Sequence, residues 1–380
     1  MFKTRSFWVV TVIVLVVSAI TAQNILLSDF GYETQMESFY NNYLIFKNSY
    51  FHLLTNQNLY IQHPEVQMDL FKYSPTFALL FGVFSYLPDF LGLFFWNLLN
   101  GLVFYALWQV KFPLVKNKLW VMAFVLVEFI TNIQSSQSNG LMVGLMILSY
   151  VFLERKNIAL ATLMIVLSVY LKLFGMVAFA IFLFYPDKWK AIVYSTLWFV
   201  VLFLLPLIVV SPTALIEQYQ NWLAMLVDDK AVAYSPSVMG WLKSWFGLMP
   251  SSSVLTGIGV ILFTLPFARI KVYQNPVFKQ LVLASVLMWV VLFNHKAESP
   301  TFIIAVAGVA IWYFIQERKW GNTILMVLVV IFTQLSPTDL YPSSIRETIF
   351  LPYVIKVVPI IMVWAKLTYD LFQLPVPAKT

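Results

Sequence analysis

The sequence predicts an all-α, polytopic transmembrane helix bundle of about twelve spans, on the evidence of composition, apolar run length and charge placement. Hydrophobic residues make up 61% of the 380-residue chain, and charged residues make up only 11%, against about a quarter in a soluble domain. A soluble core could not bury so much apolar surface, whereas a lipid-facing exterior can carry it. The 13 Trp and 19 Tyr also suit a membrane protein, because amphipathic rings favour the membrane–water interface.

Long apolar runs separated by short polar segments predict the spans. The first run, 7–27, is long enough to favour an uncleaved span over a signal peptide ending near Ala22. The other expected spans lie near residues 90–110, 119–133, 139–153, 158–171, 173–185, 191–210, 252–268, 280–293, 300–316, 321–335 and 347–366. Residues 76–88 are also apolar, but they end at Pro88 and Asp89, and we expect this segment to be only partly inserted.

The placement of charge predicts the orientation. Small basic clusters alternate along the chain with gaps rich in acids, and they comprise Lys3/Arg5, Lys111/Lys116/Lys118, Arg155/Lys156, Lys188/Lys190, Arg269/Lys271/Lys279, Arg318/Lys319 and Lys366/Lys379. Twelve spans with both termini in the cytoplasm put every cluster on the cytoplasmic side, as the positive-inside rule requires. A full crossing at 76–88 would invert everything after it.

We therefore expect a multi-pass protein of the plasma membrane with cytoplasmic N- and C-termini. Residues 1–380 are predicted to form a single integral membrane domain, with long outward loops at 28–75 and 211–251. The net charge of +7 is spread in groups of two or three, so it predicts no nucleic-acid partner.

Several chemistries are excluded or disfavoured by residue content. The chain has no Cys, which excludes disulfides, thiol catalysis and thiolate metal sites. Its three His, at positions 52, 63 and 295, include no closely spaced pair, so we expect no metal site. No phosphate-binding Walker loop, dinucleotide glycine motif or Ser-His-Asp pattern is present, and we expect no cofactor.

The first outward loop is predicted to contain an amphipathic helix along the membrane surface. Its apolar residues recur at helical spacing at Phe39, Tyr43, Phe46 and Tyr50. The polar face of this helix, with Glu37, Asn41 and Lys47 near it, either lines a site or belongs to a lid on the bundle. The same loop ends with Asp69 and Lys72, an acid and a base three positions apart. These two residues form either a structural salt bridge or part of a site.

Two further features lie at span boundaries. The polar run 134–140, which contains Gln137 and Asn139, offers neutral amides and hydroxyls that suit a hydroxyl-rich ligand, or it is a simple turn. Lys172 is a lone cation between two apolar runs. Such charges are costly in a membrane unless they are paired, so Lys172 is a functional candidate with an outward carboxylate or a lipid phosphate as partner.

The segment 294–300 is the densest polar stretch of the chain. His295 and Lys296 would make a phosphate clamp, because each donates hydrogen bonds and each can be cationic. Glu298 follows them, and the alternative is an ordinary polar loop. In the last outward loop, Arg346 either binds phosphate bidentately or pairs with Glu347.

The order of short motifs resembles that of glycosyltransferase family 87, integral-membrane enzymes of the GT-C type. The motifs follow a Tyr-rich helix and are Asn58-Leu-Tyr60, Phe71-Lys-Tyr73-Ser-Pro75, Leu87-Pro88, Trp96-Asn97-Leu-Leu-Asn100, Gln137-Ser-Asn139, Leu171-Lys172 and Ser237-Val-Met-Gly240-Trp. The resemblance implies a GT-C-like bundle and a polyprenyl-phosphate sugar donor, often mannose. It also implies inverting, metal-independent transfer to a lipid or glycan acceptor on the outer face.

The resemblance further implies an outward carboxylate as the base and a basic cluster at the leaving phosphate. The family's base is an Asp early in the first outward loop, where this chain has Glu37 as the nearest carboxylate and Asp69 as the next; Asp29 and Glu33 remain open. The residues expected at the phosphate are His295, Lys296, Arg346, Lys172 and Lys72. Those expected at the acceptor or sugar are Asn41, Asn42, Tyr73, Gln137, Asn139 and Glu298. The alternative functions are a transporter or flippase, or a ligase, of lipid-linked glycans.

Overall fold

The computed structural model describes residues 5–28, 40–228 and 235–376, and all regular secondary structure in these ranges is helical. The described chain forms two compact units. The first unit comprises 1–106, 130–176 and 187–231, and the second comprises 107–129, 177–186 and 232–380.

The helices of the first unit are mostly consecutive in the chain. They are α1 (Arg5–Ser28), α2 (Asn41–Leu54), α3 (Pro75–Ser85), α4 (Asp89–Asn100), α7 (Asn139–Glu154), α8 (Ile158–Leu171), α9 (Lys188–Leu204) and α10 (Pro212–Asp228). Helix α5 (Leu102–Gln109) belongs to the first unit as far as Ala106 and to the second unit from Leu107. Helix α6 (Leu119–Gln134) belongs to the second unit as far as Phe129 and to the first unit from Ile130.

The second unit contains the remaining α-helices and several tighter or wider turns. The α-helices are α11 (Val238–Phe246), α12 (Ser252–Thr264), α13 (Pro276–Leu292), α14 (Phe302–Phe314), α15 (Trp320–Leu328), α16 (Ser343–Ile345) and α17 (Val358–Gln373). The 3₁₀ segments of the chain are Leu173–Phe184, Leu205–Ile208, Leu265–Ala268, Ile270–Val272, Ser299–Thr301 and Ile355–Val357, and the π segments are Val329–Gln334 and Arg346–Phe350.

Three of the described helical segments are long and apolar enough to cross a membrane: Arg5–Leu27, Asp89–Gln109 and Lys188–Ile208. A pair bent by 77°, Ser343–Phe350 with Ile355–Gln373, would make a fourth if it counts as one broken span. The other apolar helices have only 10–17 residues, which is about 15–26 Å of helix against a core of about 30 Å. The expected number of about twelve spans is therefore not confirmed.

The segment 76–88 illustrates this shortness. It forms α3, an 11-residue helix that begins at Pro75 and ends at Ser85. A helix of this length covers about 16 Å, roughly half the hydrocarbon core. Its partial insertion, expected from the charges, stays a prediction.

Two of the membrane-length helices keep large apolar side chains exposed. On α1, Trp8, Val12 and Ile20 are each 54% exposed. On α9, Ile192 is 55% and Val200 is 50% exposed. Apolar faces of this kind are unfavourable in water and suit contact with lipid tails, so the fold is that of a membrane protein.

The core of the second unit is the helix pair α13–α14. Every residue of α14 is buried, as expected for a helix that is hydrophobic all round. Gly308 permits the close approach, because a Cβ there would lie 2.8 Å from the Ala284 carbonyl oxygen. Small residues commonly allow membrane helices to pack backbone to backbone in this way.

A buried ion pair links α6 to the turn before α17 within the second unit. Lys356 Nζ lies 2.9 Å from Glu128 Oε1 and 2.9 Å from Ser299 Oγ. The Glu128 side chain is fully buried and that of Lys356 is 9% exposed. The turn follows Val354, whose φ of 51° interrupts the helix. Charges among apolar helices persist only when they are paired, so this pair fixes where the broken helix packs.

We expect Lys356→Met to lower the free energy of unfolding in detergent by about 3–5 kcal/mol, because Glu128 would stay buried without its cation. Adding Glu128→Gln should recover much of that loss, since no charge then remains buried. The shift in unfolding midpoint of the single and double variants measures the effect.

The control for this comparison is Asp339→Asn, which breaks the exposed pair with Arg346 and should change the midpoint little. Equal losses in the single and double variants would show that the charge pairing itself is not what stabilises the turn.

Candidate functional site

Four of the residues singled out in the sequence meet in one buried polar cluster of the first unit, which we call the Lys172 cluster: Tyr73, Gln137, Asn139 and Lys172, with Ser138 beside them. Lys172 Nζ donates to Asn139 Oδ1 at 2.8 Å and to Gln137 Oε1 at 3.4 Å. The Tyr73 hydroxyl lies 3.4 Å from Gln137 Oε1 and accepts from Ser138 Oγ at 3.3 Å. The amides and the cation expected at the sugar and the phosphate are therefore neighbours.

Helix ends place these side chains. Helix α8 ends at Leu171, and Lys172 has extended backbone where the chain changes to the 3₁₀ segment Leu173–Phe184. Helix α7 begins at Asn139. Both side chains therefore project from helix termini, where backbone groups need partners and where polar side chains are tolerated between apolar runs.

The junction between α6 and α7 is held by hydrogen bonds to its backbone. The carbonyl of Ser136, a residue with φ of 50°, accepts from Trp96 Nε1 at 2.9 Å. The carbonyl of Gln137 accepts from Asn132 Nδ2 at 3.3 Å, and that of Ser135 accepts from Asn42 Nδ2 at 2.8 Å. The polar run 134–140 is therefore held at its backbone carbonyls by three side chains.

The electrostatics of the Lys172 cluster favour an oxygen-rich ligand. The Lys172 ammonium is half-buried and lies 5.6 Å from the centroid of the Tyr73 ring, and it presents up to three donors. Asn139 is 1% exposed, and its Nδ2 is buried without a hydrogen-bond partner. Buried donors are nearly always satisfied in native proteins, so an unsatisfied one beside a cation suits a phosphate or hydroxyl oxygen.

Tyr73 is held on both sides by its own loop and by α2. Its backbone carbonyl accepts from the Tyr60 hydroxyl at 2.9 Å. Its ring packs edge-on against Phe46 at 4.8 Å. The neighbouring Ser74 donates to the Tyr170 carbonyl at 2.6 Å and also caps α3. Residues of the motif Phe71-Lys-Tyr73-Ser-Pro75 therefore orient the ring toward Gln137.

The predicted helix of the first loop is present as α2, which the structure describes from Asn41 onward. Tyr43 and Phe46 are buried, as the helical spacing predicts. Asn41 Oδ1 accepts from the Met68 backbone N–H at 2.9 Å, and Asn42 binds the Ser135 carbonyl. Both amides hold other segments in place, and their contact with a sugar stays a prediction.

Asp69 is the one proposed base that lies within the described residues. Glu37, Asp29 and Glu33 lie outside the described residues. The Asp69 side chain is 62% exposed, and its Oδ1 lies 3.7 Å from Nζ of Lys72, which is itself 42% exposed. Asp69 and Lys72 thus form the salt bridge that their spacing allowed.

The second long loop packs on the first through α10. Gln218 Oε1 accepts from the Leu59 N–H at 3.2 Å, and its Nε2 donates to the Gln57 carbonyl at 2.8 Å. Trp222 Nε1 donates to the Lys72 carbonyl at 3.3 Å. The described residues of α10 and of the first long loop are therefore in contact within the first unit, and the position of both loops on the outward face stays a prediction.

In the second unit, the segment 294–299 is a compact turn between α13 and α14. Asn294 Oδ1 accepts from the Lys296 N–H at 3.0 Å, and the Ala297 carbonyl accepts from Ser235 Oγ at 2.7 Å. His295 and Lys296 are half-buried, and Glu298 is exposed. His295 lines a small pocket together with Ser237, Ser252 and Thr256. This turn therefore offers a cationic lysine and an imidazole beside hydroxyl groups.

Arg346 has a different partner from the one expected. Its Nη1 donates to Asp339 Oδ1 at 2.8 Å rather than to Glu347. Asp339 is 96% exposed on its side chain. This pair joins two residues seven positions apart in the loop 338–346, so it could not be predicted from neighbouring residues in the sequence.

The structure also shows two clusters that the sequence analysis did not identify. His52 and His63 stack with ring centroids 3.9 Å apart, next to Glu65. Burial, together with the neighbouring His63, lowers the pKa of His52 to about 4. The other cluster is the ion pair of Glu128 with Lys356, for which isolated charges within apolar runs were an available signal. No such signal marked the histidine pair, because His52 and His63 are eleven positions apart in the sequence.

Comparison with known proteins supports the resemblance. No curated protein in the comparison matches the chain. The model of glycosyltransferase family 87 matches residues 71–337, which is well over half of the 380 residues and includes the whole Lys172 cluster and the turn 294–299. The chain therefore belongs to glycosyltransferase family 87 and is a membrane glycosyltransferase.

Proposed function

We propose that this membrane glycosyltransferase moves a hexose, with mannose as the first candidate, from a polyprenyl-phosphate donor to a lipid or glycan acceptor. Transfer would take place on the outer face of the plasma membrane, with inversion at the anomeric carbon and with no metal ion in the chemical step. Both termini would lie in the cytoplasm.

The single observation that carries this proposal is the Lys172 cluster. A half-buried ammonium, a buried amide N–H without a partner and a tyrosine ring occur together in an apolar bundle. A lipid-phosphate sugar presents what these groups bind: an anionic phosphate, hydroxyl oxygens and a sugar ring. Family membership favours transfer of the sugar over transport of the lipid.

The chemistry needs no nucleotide, because the donor already carries a phosphate leaving group. The acceptor hydroxyl loses its proton to a carboxylate, and its oxygen bonds to the anomeric carbon from the face opposite the phosphate. The bond from that carbon to the phosphate oxygen breaks, and the polyprenyl phosphate leaves with the electron pair. Cations at the phosphate stabilise the charge that develops on it.

In this scheme Lys172 holds the leaving phosphate, and Gln137, Asn139 and Tyr73 orient the sugar. His295, Lys296 and Arg346 are further phosphate candidates, Lys72 is a peripheral one, and Glu298 is a sugar or acceptor candidate. Asn41 and Asn42 would act at the acceptor side, where they already fix the loop that leads to Asp69 and the junction at Ser135.

The base must reach the acceptor hydroxyl to within about 2.6–3.2 Å. Glu37 is our first assignment, since it is the carboxylate nearest to the position in the first outward loop where the family has its aspartate. Asp69 is the second. Asp69 is mostly exposed and paired with Lys72. That environment suits a carboxylate at the mouth of a site better than one inside it.

The donor prediction is tested with the full chain in proteoliposomes and radiolabelled sugars. We expect a glycosylated product from polyprenyl-phosphate mannose, and none from the nucleotide sugar or from a pyrophosphate-linked donor. Product formed only from the pyrophosphate donor would indicate the ligase alternative. Movement of the lipid without a new glycosidic bond would indicate a flippase.

The Lys172 prediction concerns catalysis more than binding of the sugar. Lys172→Met should lower kcat about 100- to 1,000-fold, the usual cost of removing one donor to developing charge. Lys172→Arg should keep part of the rate, because it retains the cation. The matched control is Lys190→Met, which alters an exposed lysine of the same unit and should leave kcat unchanged. A wild-type rate in Lys172→Met would remove Lys172 from the site.

The base prediction compares two conservative variants. Glu37→Gln should lower kcat about 100- to 10,000-fold, the range typical of a lost general base, whereas Asp69→Asn should stay close to wild type. Asp187→Asn, at another exposed acid, serves as the control. The reverse ranking would assign the base to Asp69, and two active variants would contradict both assignments.

A further inference from the structure

The loop that follows α2 brings two histidines together. Helix α2 ends at Leu54, and the chain reverses through Asn56, whose φ is 55°. His63 then stacks on His52 with an interplanar angle of 27°. The ligand atoms that His52, His63 and Glu65 offer all lie within 4.8 Å of one another.

Both ring nitrogens of His63 face hydrogen-bond acceptors, the Asn58 carbonyl and Glu65, and a neutral ring has only one N–H to donate. His63 Nε2 lies 2.9 Å from the Asn58 carbonyl oxygen, which only accepts, so Nε2 carries a proton. In the neutral ring the lone pair on Nδ1 would then face Glu65 Oε1 at 3.2 Å, another acceptor. Two lone-pair atoms face each other stably only with a proton or a metal ion between them.

We propose that His52, His63 and Glu65 form a binding site for a divalent transition metal, with Zn²⁺ as the best match. Two imidazole nitrogens and one carboxylate oxygen are a donor set that Zn²⁺ accepts, with water in a fourth position. Ca²⁺ and Mg²⁺ prefer all-oxygen sites. The Asn58 carbonyl supplies the hydrogen bond to the second ring nitrogen that orients most metal-binding histidines.

The protein has already arranged the surroundings of this site. Both histidines are buried, with His52 9% and His63 7% exposed. Asn48 Nδ2 donates to the Val66 carbonyl at 3.2 Å and thereby holds the loop against α2. The Glu65 side chain is 62% exposed, so its carboxylate can rotate to close the coordination sphere.

The metal would restrain the loop that follows α2. It would tie the last turn of α2 to residues 58–65, and Tyr60 in that loop donates to the Tyr73 carbonyl. The three ligands lie outside the matched family region, 71–337. The proposal does not depend on the donor or base assignments, because it is tested by metal binding and not by turnover.

The test uses the purified full chain in detergent after treatment with a chelator. Titration with Zn²⁺ against a chromophoric chelator should reveal one bound equivalent, and Co²⁺ should give the visible absorption of a tetrahedral site. His52→Gln and His63→Gln should each weaken binding at least tenfold, since even changes to outer partners cost about 10- to 100-fold. His295→Gln is the matched control and should bind as wild type does.

The thermal midpoint gives a second readout that separates misfolding from lost binding. Zn²⁺ should raise the midpoint of the wild type and of His295→Gln, and it should leave that of His63→Gln unchanged. Absence of a stoichiometric site, or equal affinity in His63→Gln, would overturn the proposal.

Discussion

Every polar group inside an apolar helix bundle needs a partner, because no water is available to satisfy it. This constraint shapes both units. In the second unit, Glu128 and Lys356 satisfy each other across 2.9 Å, with Ser299 as an additional acceptor. In the first unit, Lys172 is held by the neutral amides of Gln137 and Asn139. The groups that bond to the two lysines differ in charge, since Lys356 pairs with a carboxylate and Lys172 donates to two amide oxygens.

That difference is the basis on which we propose a structural role for Lys356 and phosphate binding for Lys172. Lys356 has a buried carboxylate at contact distance, so its positive charge is already neutralised. An amide oxygen supplies a dipole without a negative charge, and Gln137 and Asn139 hold Lys172 through such dipoles. In the proposed function, a phosphate bound at the Lys172 cluster would accept a hydrogen bond from the unsatisfied Asn139 Nδ2.

The sequence predicted the character of individual residues better than their grouping. The spacing of Tyr43 and Phe46 predicted the buried face of α2. Lys172, Gln137 and Asn139 were each singled out as candidate site residues from local context. Their convergence depends on two helix ends meeting, which no local pattern specifies. The expected number of spans is not confirmed, and apolar run length by itself does not reveal where a helix breaks. The run near 173–185 folds as a 3₁₀ segment, and the run near 347–366 is bent by 77° between Phe350 and Ile355.

The first long loop joins the two candidate sites of the first unit through one hydrogen bond. Tyr60 belongs to the segment that returns to His63, and its hydroxyl fixes the backbone of Tyr73, whose ring faces Gln137 and Lys172. Helix α10 covers the same loop through Gln218 and Trp222. A cation that bound at His52 and His63 would therefore restrain the segment that orients Tyr73. In the proposed scheme, its effect on transfer would come through the position of the Tyr73 ring.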